Sequence, residues 1–355
     1  MAKNVVYILG AGFSAPLGIP IMRNFIDKAR SLKRDNDKYS YFNKFIDLAQ
    51  NTVSAAVYFQ HDSRNIEEAL SLLEMKDNLE NTNTKDELIN FIADVVQAST
   101  PKTPTIETKN RAYNFYDFLF TTDQVWQGYY AFVSSLAHLD FRRWTDFQLP
   151  GIKIFKLNST TEYSILSLNY DLVLENICES MANSFWWESK SRFRLVRNGI
   201  QNNDVEWPSL VKIHGSADTR DIIPPTFNKG LYGSKLPQSW RDAYESLSRA
   251  NEIRVIGYSL PQTDSYIKYL LMASIDKFKD LDRIDWIVRD TSGEVENRIQ
   301  KFIRFENIRV IKADAADYLK SVYSFAVNWR QTMQEENHIG FNTLEETHEQ
   351  FFRSR

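Results

Sequence analysis

Four short segments of this 355-residue chain carry side chains that could do chemistry. The first is Gly10-Ala11-Gly12-Phe13-Ser14-Ala15, directly after the apolar run Val5-Val6-Tyr7-Ile8-Leu9. A G-x-G-x-x-A turn after a strand suits a dinucleotide's pyrophosphate. Gly10 permits the tight turn, Gly12 lets backbone approach the phosphates, and Ala15 allows close helix–strand packing. The next helix N-terminus adds free N–H groups. The competing reading is a glycine turn that binds nothing. The second segment is Ser167-Leu168-Asn169-Tyr170-Asp171. The amide of Asn169 both donates and accepts, and the carboxylate of Asp171 can stabilise a growing positive charge. Both also have plainer uses, Asn169 as a turn former and Asp171 as the N-cap of a helix over 172–180. In the third segment, Lys212-Ile213-His214-Gly215-Ser216, the imidazole is largely neutral near pH 7 and can serve as a base. Of five histidines, His214 is the one that ends a buried-type strand and precedes a glycine; His61, His138, His338 and His348 read as solvated or structural. The fourth segment, Val255-Ile256-Gly257-Tyr258-Ser259-Leu260-Pro261, is a second glycine turn.

Side chains so far apart in sequence need a scaffold that gathers them. Apolar runs over 5–9, 163–168, 210–213, 253–256, 284–288 and 308–311 predict buried parallel strands. Helical patterns over 238–249, 265–277 and 293–302 alternate with the later ones. The fold class is therefore α/β, a doubly wound Rossmann-like parallel sheet interrupted by a largely helical insertion. All four segments fall at strand ends, so one crevice beyond the carboxyl edge could collect them. From 25 to about 161 helical stretches dominate, over 65–79, 85–98, 114–119 and the aromatic-rich 126–144. Residues 99–109, rich in Pro and Thr, read as a loop. The expected domains are 1–24 plus 155–325 for the nucleotide-binding sheet, 25–154 for the insertion and 326–355 for a C-terminal helix and polar tail. Phe341, Leu344, Phe351 and Phe352 in that tail suit either a partner contact or packing on their own domain.

Composition removes several classes. The net charge is −3, so no whole-protein positive field is available for nucleic acid. The single cysteine, Cys178, excludes an intrachain disulfide, a CxxC redox pair and a zinc ribbon. Acidic residues show no metal-ligand spacing, and Trp186-Trp187 reads as core or a subdomain joint. A nicotinamide dehydrogenase needs a second strand ending in an acid about 20 residues after the glycine turn. Asp27 and Asp35 fall near that distance, but neither ends an apolar run, which disfavours hydride transfer. No targeting segment or bilayer-spanning run is visible, and a cytoplasmic location is expected.

The glycine turn continues as Leu17-Gly18-Ile19-Pro20-Ile21-Met22-Arg23, and the combined string GAGFSAPLGIPIMR resembles the nucleotide loop GAGxSxxxGIPxxR of the sirtuin superfamily. Asn169 and Asp171 resemble that family's T-x-N-x-D element, His214-Gly215 its HG element, and Gly257-Tyr258-Ser259 its G-x-S turn. The match covers 5–23 and about 162–315, in the family's order. It implies NAD+ as substrate, held by Gly10, Ala11, Gly12, Phe13, Ser14, Pro20, Arg23, Gly257, Tyr258 and Ser259. Asn169 would then position the amide or an attacking water, His214 would be the base, and Asp171 would hold the nicotinamide amide or steady charge on the ribose. Where relatives place Asn for the adenine ribose, this chain has Asp290. Deacylases of the family carry a four-cysteine zinc module after the HG element; none can form here, and the acid after GIP is replaced by Ile21. The GYSLP turn, the insertion and the segment Ile222-Ile223-Pro224-Pro225-Thr226, a candidate wall for nicotinamide, look like the NAD+ hydrolases of bacterial anti-phage defence. That likeness implies an NAD+ glycohydrolase without metal, acting as a homo-oligomer or beside a translocase ATPase, with neither membrane nor direct nucleic-acid contact. An NAD+-dependent protein deacylase and a non-catalytic NAD+ or ADP-ribose binding module are the alternatives.

Overall fold

The computed structural model describes residues 2–56, 66–80, 84–104, 123–144, 151–156, 159–184, 194–197, 200–201, 208–224, 237–262, 264–275, 280–332 and 343–355. Strands are β1 (Lys3–Leu9), β2 (Leu139–Trp144), β3 (Gly151–Lys156), β4 (Thr161–Ser167), β5 (Arg194–Arg197), β6 (Ile200–Gln201), β7 (Ser209–Lys212), β8 (Glu252–Ile256), β9 (Arg283–Val288) and β10 (Ile308–Lys312). Helices are α1 (Ala11–Ser14), α2 (Phe25–Asp35), α3 (Asn43–Ala56), α4 (Ile66–Glu80), α5 (Lys85–Ser99), α6 (Gln124–Leu136), α7 (Val173–Ser184), α8 (Pro237–Ser248), α9 (Ser265–Ile275), α10 (Glu294–Phe302), α11 (Ala315–Thr332) and α12 (Thr343–Arg353).

The main sheet runs β10-β9-β8-β1-β4-β7-β5-β6. Its first seven strands in that order are parallel, and β6 returns antiparallel to β5. With the six apolar strands numbered along the chain, the order is the doubly wound 3-2-1-4-5-6 arrangement. All six predicted strands are present. Successive residues of β1 point to opposite faces, as the pleat requires. Val5, Tyr7 and Leu9 enter one core with α6, α7, α11 and α12, while Val6 and Ile8 enter another with α8, α9 and α10. The sheet is thus covered on both sides.

Three features differ from the sequence reading. Residues 139–144, expected to be helical, form β2, which pairs antiparallel with β3 in a separate two-stranded sheet. The alternation in Ile152-Lys153-Ile154 carries a strand's period of two, but it stands beside an aromatic helix and is easily merged with it. The polar tail contains a further helix, α12, with Leu344, Thr347, His348 and Phe351 buried on one face, so Leu344 and Phe351 pack on their own domain. The long stretch between β1 and β4 also divides. Helices α2 to α5 share a third core, whereas α6 places Tyr129, Tyr130, Phe132 and Val133 against the sheet. Phe341, Trp186-Trp187, Asn65 and the pattern over 114–119 lie outside the described residues.

Candidate active site

The strand order reverses between β1 and β8, and a cleft opens there beyond the carboxyl ends. Of the residues expected at a site, Gly10, Ala11, Pro20, Asn169, Asp171, His214, Gly257, Tyr258 and Ser259 line it. All four segments meet.

The two glycine turns make this junction possible. Gly10 N donates to Ile256 O at 3.0 Å and Gly12 N to Gly257 O at 2.9 Å. A Cβ on Gly12 would lie 2.8 Å from Gly257 O, and one on Gly257, at φ +70°, would lie 2.2 Å from Phe13 N. Neither position tolerates a side chain. The missing side chain of Gly12 serves the close approach of the second turn. Phe13 is buried in the core beneath, against Tyr129 and Phe132.

Asn169 is held by its amide. Nδ2 donates to Gly10 O at 2.9 Å and to Ser14 Oγ at 3.2 Å, and the residue is only 8% exposed. Both amide hydrogens are engaged, which leaves Oδ1 as the atom that can accept from a ligand or water. Ser14 does not reach the cleft lining; it orients Asn169. The Nδ1 of His214 donates to Leu168 O at 3.2 Å, fixing the tautomer in which Nε2 is the acceptor nitrogen. The carboxylate of Asp171 caps α7 through Val173 N, at 3.1 Å from Oδ1, while still lining the cleft. Behind it, buried Lys212 donates to Asp171 O and pairs with Glu175 at 3.1 Å. Burial holds the Glu175 carboxyl above its ordinary value against the pull of Lys212.

Two further expected residues stand outside the lining. Arg23 is exposed and absent from the lining, where its neighbours Met22 and Phe25 appear instead. Asp290 caps α10, with Oδ1 accepting from Gly293 N and Oδ2 from Glu296 N, both at 2.9 Å. Desolvation pulls its carboxyl up, and these backbone donors more than cancel that, so it sits below its ordinary value. Ile222 and Ile223 are buried and do not line the cleft; Pro225 and Thr226 lie outside the described residues.

Other lining residues were not anticipated: Ile19, Val96 from α5, Tyr170 and Asp264. Tyr170 sat inside a segment already singled out, and Asp264 follows the second glycine turn by seven positions with no spacing rule to mark it. The Oδ2 of Asp264 accepts from Tyr258 OH at 2.8 Å. Among the described residues the lining holds two carboxylates, Asp171 and Asp264, and no lysine or arginine. That field favours positive charge in the cleft. No helix among the described residues is long and apolar enough to cross a membrane.

Residues 163–311 match a family model described as a SIR2-like domain. No curated protein matches the chain significantly. Among solved structures, one concerning the mechanism and regulation of Sir2 enzymes is 13% identical, with 93% of this chain and 94% of that chain covered and a TM-score of 0.39. One described as Sir2 with a p53 peptide and NAD+ is 11% identical, with 94% and 93% covered and a TM-score of 0.33. The strand order, rather than these superpositions, defines the fold.

Proposed function

From the premise that this chain carries a SIR2-like domain over residues 163–311, we propose that it is an NAD+ glycohydrolase. The observation that carries the reading is the convergence in one cleft of His214, its Nδ1 tied to Leu168 O, and Asn169, its amide tied to Gly10 O and Ser14 Oγ. The reaction is NAD+ plus water giving ADP-ribose, nicotinamide and a proton. As the C1′–N bond breaks, nicotinamide departs neutral and the ribose acquires oxocarbenium character. Asn169 Oδ1 accepts one hydrogen of the water and so aims its oxygen at C1′. His214 Nε2 takes the other proton as the new C–O bond forms. The carboxylates of Asp171 and Asp264 favour the cationic ring before cleavage and the cationic ribose during it.

The sequence has one cysteine, Cys178, buried in the core with β1 and α7, so a four-cysteine module flanking a peptide groove cannot be built. This supports water as the acceptor over an acyl-lysine peptide. An enzyme that destroys a central cofactor has to be restrained, so the proposed role is an NAD+-depleting effector of anti-phage defence, released by assembly or by a partner such as a translocase ATPase. The test is product analysis. Purified protein, alone and with its genomic neighbour, should convert NAD+ to equal amounts of nicotinamide and ADP-ribose. No nicotinamide release under either condition, or release only with an acyl-lysine peptide and formation of O-acyl-ADP-ribose, overturns the proposal.

A further inference from the structure

Helix α5 belongs to the stretch that no motif explains, yet it touches the His214 loop at several points. Val96 lines the cleft. Gln97 Nε2 donates to Ala217 O at 2.6 Å, three residues after His214. Arg220 donates through Nη1 to Asn90 Oδ1 at 2.7 Å and through Nη2 to Asp94 Oδ1 at 2.6 Å. Asn90, Asp94 and Gln97 are spaced four and three apart, so they share one face of α5. Tyr41 OH braces Asp94 from behind, donating to Oδ2 at 2.6 Å. Arg220 holds φ +55°, a conformation uncommon outside glycine, so its surroundings must impose it.

The loop is stiff within itself. Ile223 N donates to His214 O at 2.8 Å, Ser216 N to Asp221 Oδ1 at 2.9 Å, and Tyr170 OH to Ile223 O at 2.7 Å. Ala217 N is held by Tyr170 O at 2.9 Å. Gly215, at φ +82°, lies so close to the far side of the loop that a Cβ would come within 2.3 Å of Asp221 O. A stiff loop transmits displacement at its rim to the residue at its base. Ala217 and Ile222 also share a core with Phe91, Val95 and Val96 of α5.

We infer that the helical insertion positions the base: Arg220, Asp94 and Gln97 are positioning residues through which α5 fixes the loop that presents His214 to the cleft. The inference rests on the hydrolase reading and deepens it, assigning to the insertion control of this site. The Arg220 side chain is 40% exposed and that of Asp94 is 15% exposed, and ion pairs so placed add little to global stability. A loss of turnover on breaking this one would therefore report geometry.

The test compares wild type with Arg220→Ala and Arg220→Lys on NAD+ turnover, with ADP-ribose binding by calorimetry and the His214 imidazole followed by ¹⁵N NMR. Arg220→Ala should lower kcat about tenfold or more, keep KM and the ADP-ribose Kd within about twofold, and shift the His214 resonances, since small misplacements of reacting groups are costly. Arg220→Lys should recover part of kcat. An Arg220→Ala protein that is folded, with unchanged kcat and an unmoved His214 signal, overturns the inference. Should Arg220→Ala not fold, Asp94→Asn is read by the same two outcomes. If wild type releases no nicotinamide, the hydrolase reading falls, and the His214 signal alone decides the positioning claim: movement in the variant upholds it, constancy overturns it.

Discussion

The two ends of the central sheet treat charge in opposite ways. At the carboxyl end, polar atoms of Asn169, His214 and Asp264 line an open cleft among glycine turns. At the amino end, charges pair with one another. Arg254 is fully buried, with Nη2 on Glu252 at 2.6 Å and on Glu345 at 2.7 Å, and Nη1 on Tyr7 OH at 2.9 Å. Arg283 and Arg309 both reach Asp285, at 2.9 Å and 2.7 Å, and His348 Nε2 meets the same carboxylate at 2.9 Å. Helix α12 closes this end with Glu345, His348 and Glu349. Burial pulls the Glu345 carboxyl up, but Arg254 and Lys3 overcome that and hold it at about 2; burial and then Arg254 push His348 down to about 4. Strongly shifted groups can mark catalysis or structure. The shifts of Glu345 and His348 lie at the end away from the cleft, and they mark structure.

The sharpest way to test the contrast is to remove one group from each end. His214→Ala and Asn169→Ala should each cut nicotinamide release at least about a hundredfold, the range of general acid–base assistance, while the melting temperature stays near wild type. A melting temperature that falls with the activity would show the cleft residues to be structural as well. Arg254→Met should do the reverse. It removes the buried cation between Glu252 and Glu345, leaving them Lys3 and Arg283, and should cost about 3 kcal/mol in urea unfolding, with kcat per folded molecule preserved.

The pH dependence of stability separates the same two ends. His348 has a folded value of about 4 against an ordinary 6.5, so the unfolded chain binds the proton first and stability drops as pH falls from 6.5 toward 4. Glu345, depressed from 4.5 to about 2, contributes stability that is complete above 4.5 and lost as pH falls through 2. Thermal melts across this range should show the upper step flattened in His348→Asn. The smallest effect is expected from Asp290→Ala, about 1 kcal/mol for a lost helix cap with NAD+ KM unchanged. A large rise in KM would instead support a contact between Asp290 and the adenine ribose.

The sheet was legible because buried parallel strands are apolar throughout, and runs such as Val5-Val6-Tyr7-Ile8-Leu9 have no other use. The turns were legible because each follows such a run. Helix α12 was not, although Leu344, Thr347, His348 and Phe351 stand at helical spacing: two of the four are polar, and their burial depends on partners on β9 and α11. The exposed position of Arg23 was not legible, because a shared string says nothing of where a side chain turns. The contacts of α5 with the loop after His214 join residues more than a hundred positions apart, and no local pattern encodes them.

The ion pairs of α12 also bear on how the chain is made. Lys3 meets Glu345 at 2.7 Å across 342 positions, so the first strand and the last helix complete one network. Closure over so long a loop is slow, and on the ribosome it cannot begin before residue 345 has been added. Until then Arg254 has Glu252 and Tyr7 OH but not Glu345 as partners. Closure of the amino end of the sheet thereby waits on a helix more than three hundred positions from the strand it seals.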